Sequence, residues 1–225
     1  RLDDDDGTLD PGEVAHLVEA AAHRWPAPSV VCIEDTHLAS GGRPWPLDRL
    51  AAVAEVGVPV HLDGARLFNA AVATGTTVAD RSAPATTVTS CLSKGLAAPV
   101  GSVLAGPAEV IARARVERKR LGGGMRQAGI VAAAGLLALD TMVDRLAEDH
   151  RRARVLAEAV AARWPDAGCD PAEVHTNVVL FRHDDPAALL AALAARGVGA
   201  VTLGPGIVRL VTHHGIDDDC LARAV

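Results

Sequence analysis

Short apolar runs alternate with stretches that repeat every three to four residues along the first hundred positions, the pattern of strands interleaved with helices. Asp10-Pro11-Gly12-Glu13 places Asp at an N-cap, Pro at the first helical position and Glu at the third, and predicts a helix from Pro11 to about Arg24. SVVCIE, ending at Glu34, is a continuous apolar run of strand length, and a Gly-rich loop follows over 36–45. The pattern then predicts an amphipathic helix over 46–56, a strand over 58–62, a helix over 65–74, and strands over 85–90 and 102–105. This order predicts an α/β fold whose mostly parallel sheet is covered on both faces. From Ala108 the pattern is helical and is broken once by Gly122-Gly123-Gly124. A long helix is expected over 126–146, then a charged stretch, Glu148-Asp149-His150-Arg151-Arg152, and another helix reaching Trp164. After Pro165 the texture changes to a strand over 177–182, a helix over 186–196 and strands over 198–203 and 207–211, a small α+β unit. The boundary falls near residue 147 and divides the chain into 1–147 and 148–225.

Composition adds that this core is built from small residues. Of 225 residues 49% are apolar, yet there is no tyrosine, and only two phenylalanines and three tryptophans. Ala, Val and Leu must therefore fill the interior, and the poverty of aromatics argues against single-stranded nucleic-acid binding by base stacking. The net charge of −6 and the scattered basic residues argue against a nucleic-acid or membrane surface. The one basic cluster, Arg113, Arg115, Arg118, Lys119 and Arg120, has the form of a solvated helix face. Cys32, Cys91, Cys169 and Cys220 form no CxxC pair and no metal-ligand spacing, so reduced thiols in a cytoplasmic protein are expected. The apolar stretch 130–139 is too short to span a bilayer. His213 and His214 are neighbours on an extended segment and point to opposite faces, so no metal is assigned to them. The chain opens on an acidic turn without methionine and is expected to begin partway through a protein.

Candidate chemistry centres on Lys94 in TSCLSKGLAAPVGS, between a strand-like run and a second apolar run, 103–105. A lysine between two buried strands needs a partner or a reaction, and its amine can form a Schiff base with a carbonyl compound. The competing reading is a snorkelling lysine at a strand end. Asp63, just past the preceding strand, would share the carboxyl edge of a parallel sheet with Lys94, where open α/β proteins bind ligands. An aspartate there can hold a pyridinium nitrogen protonated. Arg66, three residues on, is expected on the same helical face. Asp63-Gly64 taken alone reads equally as a helix-start cap.

HLDGARLFNAAVATG, CLSKGLAAPVGSVLAG, RKRLGGGMRQAGIVAAAGLLAL and VCIEDTHLASGGRPWPL together resemble the low-specificity L-threonine aldolases, of the β-eliminating lyase group with the pyridoxal-phosphate-dependent aspartate aminotransferase fold. The blocks occur in order and span nearly the whole chain. The resemblance implies cleavage of L-threonine or L-allo-threonine to glycine and acetaldehyde, with pyridoxal 5′-phosphate bound to Lys94, its ring nitrogen on Asp63 and its ring oxygen near Arg66. It implies that His37 lies near the substrate β-hydroxyl, that Arg209 binds the substrate carboxylate, and that Lys119 and Arg126 contact phosphate, reaching a neighbouring subunit of a homodimer or homotetramer. The plainer readings are a loop histidine bonded to backbone, an outward strand arginine and a solvated helix face.

The chain also departs from that family. The segment carrying its phosphate-binding loop and ring-stacking histidine is absent from the resemblance, and the family's last helix is expected to be incomplete. Asp35 and Leu38 replace usual asparagines. Two alternatives therefore stand beside the aldolase: a truncated, non-catalytic partner of a full-length subunit, and another reaction, β-elimination or transamination, on the same scaffold.

Overall fold

Strands β1 (Val31–Glu34), β2 (Val60–Asp63) and β3 (Thr87–Cys91) pair in parallel in that order, and β4 (Ser102–Ala105) adds antiparallel to β3. A computed structural model describes residues 6–24 and 26–225. The acidic run that opens the chain lies outside the described residues up to Asp5. The parallel pairs need crossovers, and these are α2 (Leu47–Ala54) before β2, and α3 (Leu67–Thr74) with α4 (Val78–Ser82) before β3. Only a turn separates β3 from β4, and so that pair is antiparallel. Ile33, Val60, Leu62 and Val88 from the strands bury against Trp45, Leu50, Val53 and Leu67, forming the core of this unit. α1 (Pro11–Arg24) begins as its Asp-Pro-Gly-Glu start predicts, with Asp10 accepting the Glu13 N–H at 3.0 Å.

Two expectations are corrected along this unit. β4 is exposed along its length, with Val103 and Leu104 on the surface, so Lys94 is not enclosed between two buried strands. The connection from Asp63 to Lys94 holds two helices rather than one. The extra one, α4, starts at a Thr77–Asp80 capping box whose signature spans only a five-residue helix.

Beyond β4 come α5 (Ala108–Arg120) and α6 (Gly129–Thr141), which buries Gly135 and Ala138 but exposes Ile130, Leu136 and Leu137. The expected long helix over 126–146 ends instead at Thr141, and α7 (Leu146–Arg163) starts after a turn. That turn lets Leu146 join Leu92, Leu96, Ala98 and Ala138 in one cluster. The charged stretch 148–152 lies inside α7, where Arg145–Asp149 and Arg152–Glu148 pairs one turn apart support the helix.

The remaining chain forms an antiparallel sheet in the order β5 (Val178–Arg182), β7 (Ile207–Val211), β6 (Val201–Gly204). α7, α8 (Pro186–Ala194) and α9 (Asp218–Ala224) accompany it. Ala153, Leu156 and Ala157 of α7 pack against Val174, Val179 and Leu221. α9, unforeseen in the pattern, is capped by Asp217, which accepts the Cys220 N–H at 2.8 Å. Among the described residues no helix is long and apolar enough to cross a membrane.

Candidate functional site

The parallel register places Glu34 opposite Asp63 and Asp63 opposite Thr89, so β1 and β2 end level, β3 runs on to Cys91 at the same edge, and the Lys94 turn lies just beyond it. That turn has a rigid base. Leu92, Leu96 and Ala98 are buried, the Ala98 N–H donates to the Leu92 carbonyl at 3.0 Å, and the Ala97 N–H donates to the Lys94 carbonyl at 2.9 Å. The apolar positions point down and the Lys94 side chain stands out at the sheet edge, exposed. Lys94 is one of only two lysines in a chain that otherwise uses arginine as its cation.

Ala97 completes the turn at φ 57°, a left-handed conformation that disfavours a Cβ. Ala97→Gly is expected to stabilise the fold by about 0.5–1 kcal/mol, the steric relief exceeding glycine's entropic cost. A urea midpoint that falls in this variant would contradict the strain.

Asp63 is exposed, and its Oδ1 accepts the Ala65 N–H at 3.1 Å. The cap reading and the ligand reading coexist, because Oδ2 bonds no described residue. Gly64 is required beneath it: its N–H donates to the Thr89 carbonyl at 2.9 Å, and a Cβ would lie 2.7 Å from that oxygen. This close approach makes the chain turn before any helix begins. Arg66 is consequently the N-cap of α3, and it does not share a helical face with Asp63 as expected.

The structure brings Arg66 and Arg209 together from opposite units. Arg209 lies on β7, opposite Leu180 of β5 and Val201 of β6. Burial, and next the Arg209 guanidinium, push Arg66 below its ordinary pKa, while Glu34 and Cys91 pull the other way. The Nε atoms of both arginines are buried and have no hydrogen-bond partner among the described residues. Two guanidiniums that feel each other's charge and carry unsatisfied buried Nε donors can hold an anion, since buried donors are otherwise costly. Glu34 and Cys91 were not foreseen as members of this cluster. The signal for both was available, since each closes a parallel strand at the same edge as Asp63.

His37 follows β1 in a loop closed by its backbone N–H to the Arg43 carbonyl at 3.1 Å and the Gly42 N–H to its own carbonyl at 2.9 Å. The turn at Gly7 packs against the imidazole, leaving a Cβ there only 2.7 Å from Nδ1. Asp35, two residues before His37, is fully buried and ion-paired to buried Arg81 at 2.8 Å. It also accepts the Trp45 N–H at 3.0 Å, while Arg81 donates to the Trp45 carbonyl at 2.7 Å. One ion pair thus pins both ends of the loop that carries His37. Lys119 and Arg126 are exposed at the end of α5 and after the triple glycine, and no described hydrogen bond or ion pair joins them to the Lys94 edge.

Residues 1–185 match the model of the Beta-eliminating lyase family. The chain is 37% identical over 228 residues to low-specificity L-threonine aldolase 1 of Arabidopsis thaliana, covering 95% of this chain and 62% of that protein. It is 39% identical over 224 residues to the low specificity L-threonine aldolase of Escherichia coli K12, covering 97% of this chain and 65% of that protein. The chain thus spans less than two thirds of the length of either relative. A threonine aldolase structure from Leishmania major superposes with a TM-score of 0.75 at 19% identity, over 98% of this chain and 66% of that one, and shares the fold. With a family match over most of its length, this chain belongs to the beta-eliminating lyase family.

Proposed function

We propose that the protein is an aldehyde-lyase that uses pyridoxal 5′-phosphate to cleave L-threonine or L-allo-threonine to glycine and acetaldehyde by retro-aldol chemistry. The observation that carries this reading is the pair of guanidiniums, Arg66 and Arg209, with unsatisfied buried Nε donors at the edge that presents Asp63 and Lys94. An amine, a carboxylate with an open oxygen and two anion-seeking guanidiniums are the donor set that an aldehyde-bearing, pyridinium-containing phosphate ester and an amino-acid carboxylate require, so the residues fit the cofactor.

Lys94 would hold the cofactor through its amine, Asp63 would keep the ring nitrogen protonated, and Arg66 would bond the ring oxygen. When bound, the cofactor supplies an aldehyde for amine condensation and a ring that accepts the electron pair released as Cα–Cβ breaks. Arg209 forks the substrate carboxylate and orients the amino acid. His37 takes the β-hydroxyl proton as the aldehyde departs, and a proton added at Cα completes glycine. Lys119 and Arg126, on the exposed helical face, are proposed to contact the phosphate across a subunit boundary. A second copy of the chain is the proposed partner, supported by surface Val103, Leu104, Ile130, Leu136 and Leu137. The proposed division near residue 147 is supported by the change of core partners along α7. Cytoplasmic residence is supported by four free cysteines.

Incubation of the intact protein and cofactor with each threonine isomer is expected to yield equimolar glycine and acetaldehyde. Formation of 2-oxobutanoate and ammonia instead would replace the aldolase reading with β-elimination. Arg209→Ala is expected to raise KM for the amino acid about 10- to 100-fold, the loss of a charged hydrogen bond of roughly 1.5–3 kcal/mol. An unchanged KM would remove Arg209 from the carboxylate site.

A further inference from the structure

The first turn of α7 carries the charged stretch that the reaction leaves without a role, and it touches both halves of the site. On one side, His150 Nε2 lies 3.0 Å from Asn69 Nδ2, with both residues buried. Asn69 sits in α3 three residues after Arg66. It also flanks the lysine turn: a Cβ on Gly95 would lie 2.7 Å from Leu146 Cδ2 and 3.4 Å from Asn69 Oδ1. On the other side, Thr212 Oγ1 donates to the Asp149 carbonyl at 2.6 Å. Asn177 Nδ2 donates to the Thr212 carbonyl at 2.8 Å, and the Thr212 N–H donates to the Asn177 carbonyl at 3.0 Å. Thr212 lies three residues past Arg209. The Asp149 carboxylate is spent on Arg145, which reaches its two oxygens at 2.6 and 3.2 Å. Asn69, Asp149, His150, Asn177 and Thr212 are all buried, so this is an interior network and not a solvated face.

We propose that His150 is a positioning residue whose neutral imidazole, accepting from Asn69, sets the spacing between the Lys94–Arg66 edge and the strand that carries Arg209. The acceptor role requires an unprotonated Nε2, since a protonated ring would set two donors face to face in a buried site. Burial drives the His150 pKa down to about 4; Asp149 opposes this and Arg154 reinforces it, so the ring is neutral at neutral pH. A shift of β7 against α3 moves Arg209 relative to the Lys94–Arg66 edge. Its cost therefore falls on binding of the amino-acid carboxylate.

This rests on the reading of Arg209 as the carboxylate fork, and the test separates the two. His150→Leu in the intact, cofactor-loaded protein is expected to raise KM for threonine about tenfold or more, with kcat within about threefold. Amide hydrogen exchange over 207–212 is expected to quicken in the same variant. His150→Gln restores an acceptor and is expected to recover most of both effects. Where His150→Leu does not fold, Asn69→Ala removes the donor and is expected to give the same KM rise. A wild-type KM with unchanged exchange in His150→Leu or Asn69→Ala overturns the proposal, as does a His150→Gln no better than leucine. A wild-type protein that leaves threonine intact defeats the functional reading alone, and the exchange comparison still decides the role of His150.

Discussion

Lys94→Ala abolishes the visible absorbance of the protein saturated with pyridoxal phosphate, and it lowers threonine cleavage on the order of 10³-fold or more, the scale of removing a covalent catalytic group. The turn survives the substitution. Its geometry is fixed by Leu92, Leu96 and Ala98 and by backbone hydrogen bonds, and the lysine side chain itself is exposed. Stability should therefore remain within about 0.5 kcal/mol of the parent, as for ordinary surface substitutions. Lys119, the other lysine, sits at the end of α5 and bonds no residue of the Lys94 edge, so it offers no substitute amine. A variant that folds normally and keeps its absorbance would place the cofactor elsewhere.

Arg81→Leu destabilises the fold by about 3–5 kcal/mol, the cost of stranding one partner of a buried ion pair. Asp35 is fully buried, and Arg81 supplies its counter-charge from Nε at 2.8 Å while also reaching the Trp45 carbonyl, Thr74 and Thr76. Burial already raises the Asp35 carboxyl above its ordinary pKa, opposed chiefly by Arg81. Without the arginine the carboxyl folds protonated. A carboxyl whose pKa is higher folded than unfolded contributes stability that is complete below its unfolded value and is lost as pH rises through its folded value. The deficit of Arg81→Leu is therefore smallest near about pH 4 and widens toward neutrality. Asp35→Leu combined with Arg81→Leu should recover most of the loss, because both charges leave together. Denaturant midpoints across this pH range check both statements. A double variant no more stable than the single one would show that the pair is not the source of the cost.

The Asp35–Arg81 pair also shows where sequence reasoning ends. In the sequence Asp35 stands out only as a departure from a usual asparagine. The added charge is matched 46 residues later by an arginine that no local pattern distinguishes from a surface residue. The strand–helix alternation, the parallel sheet and the shared edge of Asp63 and Lys94 were legible, because apolar periodicity and strand-end position are local signals. The meeting of Arg66 with Arg209 was not, since it depends on how β7 docks across α7. Asn69 with His150 was hidden for the same reason: each is a polar residue inside a helix, and only their contact shows why burial is tolerated. The break at Thr141 was missed because the apolar pattern runs through it, and only the docking of Leu146 under the lysine turn sets the new helix.

Borohydride reduction of the protein loaded with pyridoxal phosphate, followed by digestion and peptide mass mapping, tests the central claim most directly. The account predicts the phosphopyridoxyl mass on the peptide containing Lys94, and its absence when the cofactor-free protein is carried through the same reduction. Label on Lys119, or no lysine label from a protein that binds the cofactor, would contradict it.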